Sequence, residues 1–470
     1  MRRRSATGYW RLISALALLL AAAPLAPARA QSVVEDAAPA AIPGVAVAEN
    51  AATADFPEGI TFSIEAETDD PIANVELMYR PTGFETYSVE LPVFDEGATS
   101  LSIDQAIDSG PGGASELPVG IDVEYHWRIT EADDDVVETP EQTVSWTDDR
   151  FAWTRLDGPH VAVYSYDADP AFQQEILDSA ERTIESLLES YDAELDQQIR
   201  IWVYANKEDF YGTQAPFAEP WAAGGSYSAF HMIMATLPPG DHREVARIVP
   251  HEISHQVLDQ ATANPFAIPP GWLDEGLAEY SQESGREPFY QHALELAAEG
   301  RVPSLRTMNG PSPSWPYDRG DATALYAFSL SAVMYIIDTW GDEGMSKLID
   351  AVAEGVTPET AVQQGLGISF DELDRQWQED LIADAKQVGA TGTTRFGDDD
   401  GASPWGSIGE GIALASGTVI LGLVVLLALI AGLFSLVRSR RRPDADEPIE
   451  DVRWGEWPEG LELPRALRES

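Results

Sequence analysis

From residue 56 to 148 apolar side chains recur at every second position: Ile60, Phe62 and Ile64; Val75, Leu77 and Tyr79; Val123, Tyr125, Trp127 and Ile129; Val144 and Trp146. Successive side chains of a strand point to opposite faces, so this period, broken by Gly, Pro and Asp, predicts half-buried strands. A succession of such runs predicts an all-β sandwich of immunoglobulin or fibronectin character. His126 falls in the middle of one run, where a histidine is ordinarily part of the strand.

From about 151 the pattern changes, and the period alternates between two and 3.6. "HVAVYSY" (160–166) predicts a strand, "PAFQQEILDSAERTIESLLESY" (170–191) an amphipathic helix, and "IRIWVYA" (199–205) and "AFHMIMATL" (229–237) two further strands. Val249, Ile253 and Val257 form one helical stripe. Helical stretches follow around 272–283 and 322–339, and "TPETAVQQGLGISFDELDRQWQEDLIADA" predicts a closing helical pair. The expectation is a multidomain chain: an all-β sandwich at 56–148, an α+β domain at 151–386, and a linker of Gly, Asp and Ser at 387–410.

The ends carry other signals. Residues 1–30 have a basic head, an apolar stretch and small residues at Ala28 and Ala30, the pattern of an export signal cleaved near Gln31. Residues 31–55, rich in Ala and Pro, are expected to be a flexible leader. Residues 411–437 carry no charge and exceed the roughly 20 residues a bilayer needs, which predicts a single C-terminal transmembrane helix. Arg438, Arg440, Arg441 and Arg442 follow it, so the tail 438–470 is expected in the cytoplasm and the N-terminal domains outside the cell membrane.

Composition narrows the chemistry. The net charge is −50, with three lysines (Lys207, Lys347, Lys386), so a nucleic-acid backbone would be repelled. The chain has no cysteine, which excludes disulfides and thiol catalysis and leaves His, Asp and Glu to hold any transition metal.

One segment answers that requirement. "PHEISHQVLDQ" (250–260) places His251 and His255 one helical turn apart, on the side away from the apolar stripe, with Glu252 between them. Pro250 predicts a kink just before His251 or a helix that begins there. A catalytic zinc takes three protein ligands and leaves a fourth position open. Twenty residues after His255, in "PPGWLDEGLAEY" (269–280), stands Glu275. Glu279 projects from the same helical face and is placed to accept a hydrogen bond from a ligand histidine. In so acidic a chain two such glutamates would ordinarily be a solvated helix face; their pairing with H-E-x-x-H sets them apart. His160, His231, His242 and His292 have no paired spacing, and Trp272, Trp315 and Trp340 suit either a cleft or a core.

Residues 250–280 resemble the active-site region of the gluzincin zinc metallopeptidases of the aminopeptidase-N and thermolysin type, and most of all the bacterial peptidase-MA-like domains. Looser similarity covers roughly 151–385. The resemblance implies zinc (Zn2+) on His251, His255 and Glu275, Glu252 as general base and Glu279 as the acid behind a ligand. It implies a small sheet whose edge strand receives the substrate, with "AFHMIMATL" in that place. It also implies a tyrosine that donates to the oxyanion from the start of a later helix: Tyr326, in "ATALYAFSLSAVMYIIDTW" (322–340), stands at the matching position, with Tyr317 and Tyr335 as competitors. The Gly-Ala-Met-Glu-Asn stretch by which aminopeptidase-N relatives hold a free amino terminus is missing, so that label does not carry over. The expectation is an exported, membrane-anchored zinc metallopeptidase acting on peptide or protein substrates. A non-catalytic adhesion or zinc-sensing protein on the same scaffold is the alternative.

Overall fold

The computed structural model describes residues 44–110, 117–191, 193–195, 197–213, 224–264, 266–310 and 319–391. The expected export signal, membrane helix and cytoplasmic tail, and most of the expected linker, lie outside the described residues.

The N-terminal region is built from eight strands: β1 (Val45–Asp55), β2 (Gly59–Thr68), β3 (Ile72–Pro81), β4 (Ser88–Glu90), β5 (Ser100–Ile107), β6 (Ile121–Glu131), β7 (Val136–Glu138) and β8 (Gln142–Trp146). They form two antiparallel sheets, one ordered β1-β2-β5 and the other β4-β3-β6-β7, with β8 also paired to β6. The alternating residues of the sequence fill one core: Ile60, Phe62 and Ile64 from one sheet, Val75, Leu77, Tyr125, Trp127 and Trp146 from the other. One expectation differs. Residues 45–55, expected within a flexible leader, are β1, paired with β2 from Val45↔Thr68 to Asp55↔Gly59. Of its side chains only Val45 is fully buried, so the strand is held by its backbone ladder, which leaves little trace in side-chain pattern.

The second region follows as β9 (Thr154–Asp157), β10 (Val161–Ser165), α1 (Pro170–Tyr191), β11 (Ile199–Tyr204), α2 (Lys207–Tyr211), β12 (Gly224–Tyr227), β13 (Met232–Thr236), α3 (His242–Ala261), α4 (Gly271–Ser281), α5 (Arg286–Ala298), α6 (Arg319–Ala353), α7 (Pro358–Leu366) and α8 (Phe370–Thr391). The last helix runs five residues into the stretch expected as linker. α6 joins two helices at Gly341, whose φ of 68° is left-handed. The sheet order is β12-β13-β11-β10-β9, with β10, β11 and β13 parallel and the two outer strands antiparallel to them. The edge strand is therefore β12. β13, within the run expected at the edge, lies inside, between β11 and β12. Every residue of β13 is buried, as an interior strand requires, whereas "GGSY" of β12 has no apolar run to announce it.

Both faces of this sheet are covered. Val161, Val163, Ile201, Val203, Ile233 and Ala235 lie under the helices. Trp202, Tyr204, Met232 and Met234, on the other face, belong to the core of the N-terminal sheets. Arg200 donates to the Gly120 carbonyl at 2.6 Å, and the Tyr204 hydroxyl donates to the buried Asp148 carboxylate at 3.2 Å. Gly120 has a φ of +88°, and a Cβ there would lie 2.1 Å from the Trp202 ring, so only glycine fits the junction.

Candidate active site

α3 is capped by the Asp241 side chain, which accepts the Glu244 N–H at 3.2 Å, and it continues through Pro250. The helix does not begin at His251, the second of the two expectations; it starts eight residues before Pro250. A proline inside a helix frees the carbonyl four residues earlier; here the Ala246 carbonyl accepts the backbone N–H of Glu283 at 2.9 Å, from the chain leaving α4. Val249, Ile253 and Val257 pack into the core as their stripe predicts.

His251 and His255 therefore sit one turn apart on a helix buried from Arg247 to Leu258. Their Nε2 atoms are 3.3 Å apart, and Oε2 of Glu275, on α4, is 3.6 Å from each. One donor atom from each residue lies within 4.8 Å of the others, and His251 and Glu275 have no exposed surface. α4 approaches closely because Gly276 lacks a side chain: a Cβ there would lie 2.5 Å from the Ser329 carbonyl of α6. Zinc bonds to nitrogen and oxygen of about 2.0–2.1 Å in a tetrahedron separate neighbouring ligand atoms by about 3.3 Å. The measured separations fit that spacing, and two imidazoles with one carboxylate are a donor set zinc accepts.

Each ligand histidine has an outer partner. Nδ1 of His255 is 2.6 Å from Oδ1 of Asp274, and Nδ1 of His251 is 3.5 Å from Oε1 of Glu279 and 3.1 Å from the Gln282 side-chain nitrogen. Glu279 lies beside His251, with its Oε1 3.5 Å from Nδ1, beyond a direct hydrogen bond; Asp274 and Gln282 were not anticipated. The available signal for Asp274 was arithmetic: two ligand histidines call for two acceptors, and only three acids stand between 274 and 279.

Electrostatics divide the cluster. Burial lowers His251 well below its ordinary value, and the neighbouring His255 adds to the effect. Burial also acts to lower His255, but Asp274, Glu275 and Glu252 outweigh it and push that ring up to about 10. Burial pushes Glu252 up to about 8, with Glu275 adding to it, and Glu279 up to about 8.

Glu252 is fully buried, and neither carboxylate oxygen has a hydrogen-bond partner among the described residues. It lies beneath the edge strand: a Cβ on Gly224 would be 2.8 Å from its Oε1. One turn on, Gln256 donates to Ser226 Oγ at 2.7 Å and to the Met232 carbonyl at 2.9 Å, which pins β12 and β13 to the helix of the site.

The sequence profile of the Peptidase MA superfamily matches residues 179–383, spanning α1 to α8 and both parts of the His-His-Glu group. That stretch is similar to a peptidase-MA-like domain. Among solved structures, OgpA from Akkermansia muciniphila is 13% identical over 22% of this chain and 29% of its own, with a TM-score of 0.18. The chain thus spans under a third of that relative. An aminopeptidase N family protein from Idiomarina loihiensis is 8% identical over 69% of this chain and 74% of its own, with a TM-score of 0.37. No curated protein matches the chain.

The remaining candidates sort by position in the peptidase-MA-like domain. Tyr326 is buried on α6, three residues before Ser329, whose carbonyl meets α4 at Gly276. The Tyr335 hydroxyl donates to Gln376 of α8 at 3.0 Å, an engagement within the helical lobe, and Tyr317 lies outside the described residues. His160 and His242 pair with Glu181 and Glu175 at 2.7 and 2.6 Å, and none of His160, His231, His242 and His292 belongs to the His-His-Glu group. Trp272 is core, its indole N–H donating to Asn309, while Trp315 lies outside the described residues.

Proposed function

We propose that the chain is an exported, membrane-anchored zinc metallopeptidase that hydrolyses peptide bonds in peptide or protein substrates. The observation that carries this reading is the convergence of His251, His255 and Glu275 with the buried, unpartnered Glu252 carboxylate beside them. A ligand cluster kept only for architecture has no use for a base buried at such cost. Zinc in that site supplies Lewis-acid polarisation of a carbonyl and brings the pKa of water near 7.

The chain's own residues do the rest. Glu252, as the carboxylate, would take the proton of the attacking water and return it to the leaving amine. Among the described residues one edge of β12 is unpaired, and that edge is offered to an extended substrate immediately above the Glu252 carboxylate. Zinc analysis together with hydrolysis of a denatured protein mixture tests the proposal; zinc bound without cleavage would leave a binding or sensing scaffold instead.

The proposal extends to the second donor for the developing oxyanion, Tyr326, a phenol neutral at pH 7 and able to donate. Tyr326→Phe is expected to lower kcat and kcat/KM together, by roughly 10²–10³-fold, with zinc content and Tm unchanged. An unaltered kcat in the zinc-loaded variant would pass the role to another group.

In the same reading the N-terminal sheets are an immunoglobulin- or fibronectin-like sandwich, residues 411–437 cross the bilayer once, and the chain up to about 410 lies outside the cell. Protease added to intact cells should remove the N-terminal domains and spare an epitope placed after Arg442. Digestion of that epitope would reverse the orientation.

A further inference from the structure

We infer that Gln282 is a positioning residue for the metal centre, and that Pro250 is what holds it there; the inference rests on the zinc reading above. The Ala246 carbonyl, left without its helical donor by Pro250, accepts the Glu283 N–H at 2.9 Å. The chain leaving α4 is thereby tied to α3 one residue beyond Gln282. From that anchor the Gln282 carboxamide reaches between the helices. Its nitrogen donates to Oε2 of Glu279 at 2.9 Å and lies 3.1 Å from Nδ1 of His251. Gln282 and Glu279 are each 1% exposed, and His251 is fully buried. Gly285, at a φ of +96°, closes the chain behind the amide: a Cβ there would lie 3.1 Å from Gln282 Oε1 and 3.3 Å from Cδ of Arg247.

A histidine that ligates through Nε2 keeps its proton on Nδ1, and the group that receives that proton sets the ring's plane and basicity. Oε1 of Glu279, 3.5 Å from Nδ1, is too far to fix the ring by itself. Gln282 bears on both partners at once. It immobilises Glu279 through the carboxylate's other oxygen, and it occupies the space beside Nδ1. Turned about its terminal bond, the amide offers Oε1 to the Nδ1 proton and gives up its donation to Glu279, so in either orientation it engages one of the two groups at the ring.

Zinc affinity of the full chain, read by competition with a chromogenic chelator, tests this together with the visible spectrum of the cobalt(II)-loaded protein. Gln282→Ala is expected to bind zinc roughly 10–100-fold more weakly and to shift the cobalt band, as loss of an outer partner does. Pro250→Ala returns a helical donor to Ala246 and so weakens the Glu283 anchor. It is expected to lower zinc affinity several-fold while Tm holds or rises, because alanine is the better helix former. A residue that only filled space would move Tm and leave the cobalt band in place. Equal affinities and superimposable cobalt spectra in both variants would overturn the positioning role. A wild-type chain that takes up no zinc would remove the zinc reading and this inference with it; a wild type that binds, beside a Gln282→Ala that binds equally well, removes the inference alone.

Discussion

Glu252→Gln is expected to retain zinc and to lose peptide hydrolysis by roughly 10²–10⁴-fold, the usual contribution of a positioned general base. The change is close to isosteric, so the side chain still fits beneath Gly224 in the space its carboxylate occupies. Neither oxygen of Glu252 is engaged by another described residue, so the amide breaks no existing hydrogen bond. What it removes is the ability to take a proton. Because burial opposes the charged form of this group, the neutral amide should leave Tm equal or higher. Zinc content at one equivalent, an undiminished Tm and residual hydrolysis constitute the expected set. Full activity would show that the proton goes elsewhere and that the assigned chemistry is wrong.

The second large effect lies in the metal itself. His255→Ala and Glu275→Ala each delete one of three donors, and zinc affinity should fall by more than the roughly 10–100-fold that outer partners control. The loss is also legible as stability. A ligand that binds only the folded chain adds about 2.7 kcal/mol at a concentration 100 times its Kd. Wild-type Tm should therefore rise with added zinc, while the Tm of either variant should not respond at the same concentration. His255→Ala also deprives Asp274 of the ring it holds at 2.6 Å. Glu275→Ala leaves that pair intact, so of the two it reports more cleanly on the metal. A zinc-dependent Tm preserved in both would place the ligands elsewhere.

His251, Glu252 and His255 were legible because their relation is a spacing along one helix, which converts spacing directly into direction; Glu275 and Glu279 share a second helix, and only their separation from the first, together with the resemblance, joined the two. Asp274 and Gln282 were not legible, since their contacts depend on how α4 lies against α3, a relation tied by the Glu283–Ala246 bond that Pro250 leaves open rather than by any period. Edge strands failed for a related reason. β1 buries few of its side chains and β12 is built of small and polar residues, so neither shows an apolar pattern, and an apolar neighbour such as β13 took the place expected for the edge. α5, with only a weak apolar stripe in "REPFYQHALELAA", went unannounced too. The all-β character of the N-terminal region was plain in its alternation. Its union with the second sheet was hinted at only by "IRIWVYA", apolar on both faces of β11.

That union changes what the chain's parts are. Reading along the sequence, a cut near residue 150 divides two modules; reading through space, it would split a single interior, since Trp202, Tyr204, Met232 and Met234 have their neighbours on the far side of it. β13, which carries two of those residues, is the rail on which the edge strand over Glu252 is mounted. The N-terminal sheets are thus the underside of the sheet that carries the site, and a fragment trimmed to residues 151–386 would present an aromatic and methionine-rich floor to water on the face opposite the helices of the His-His-Glu group.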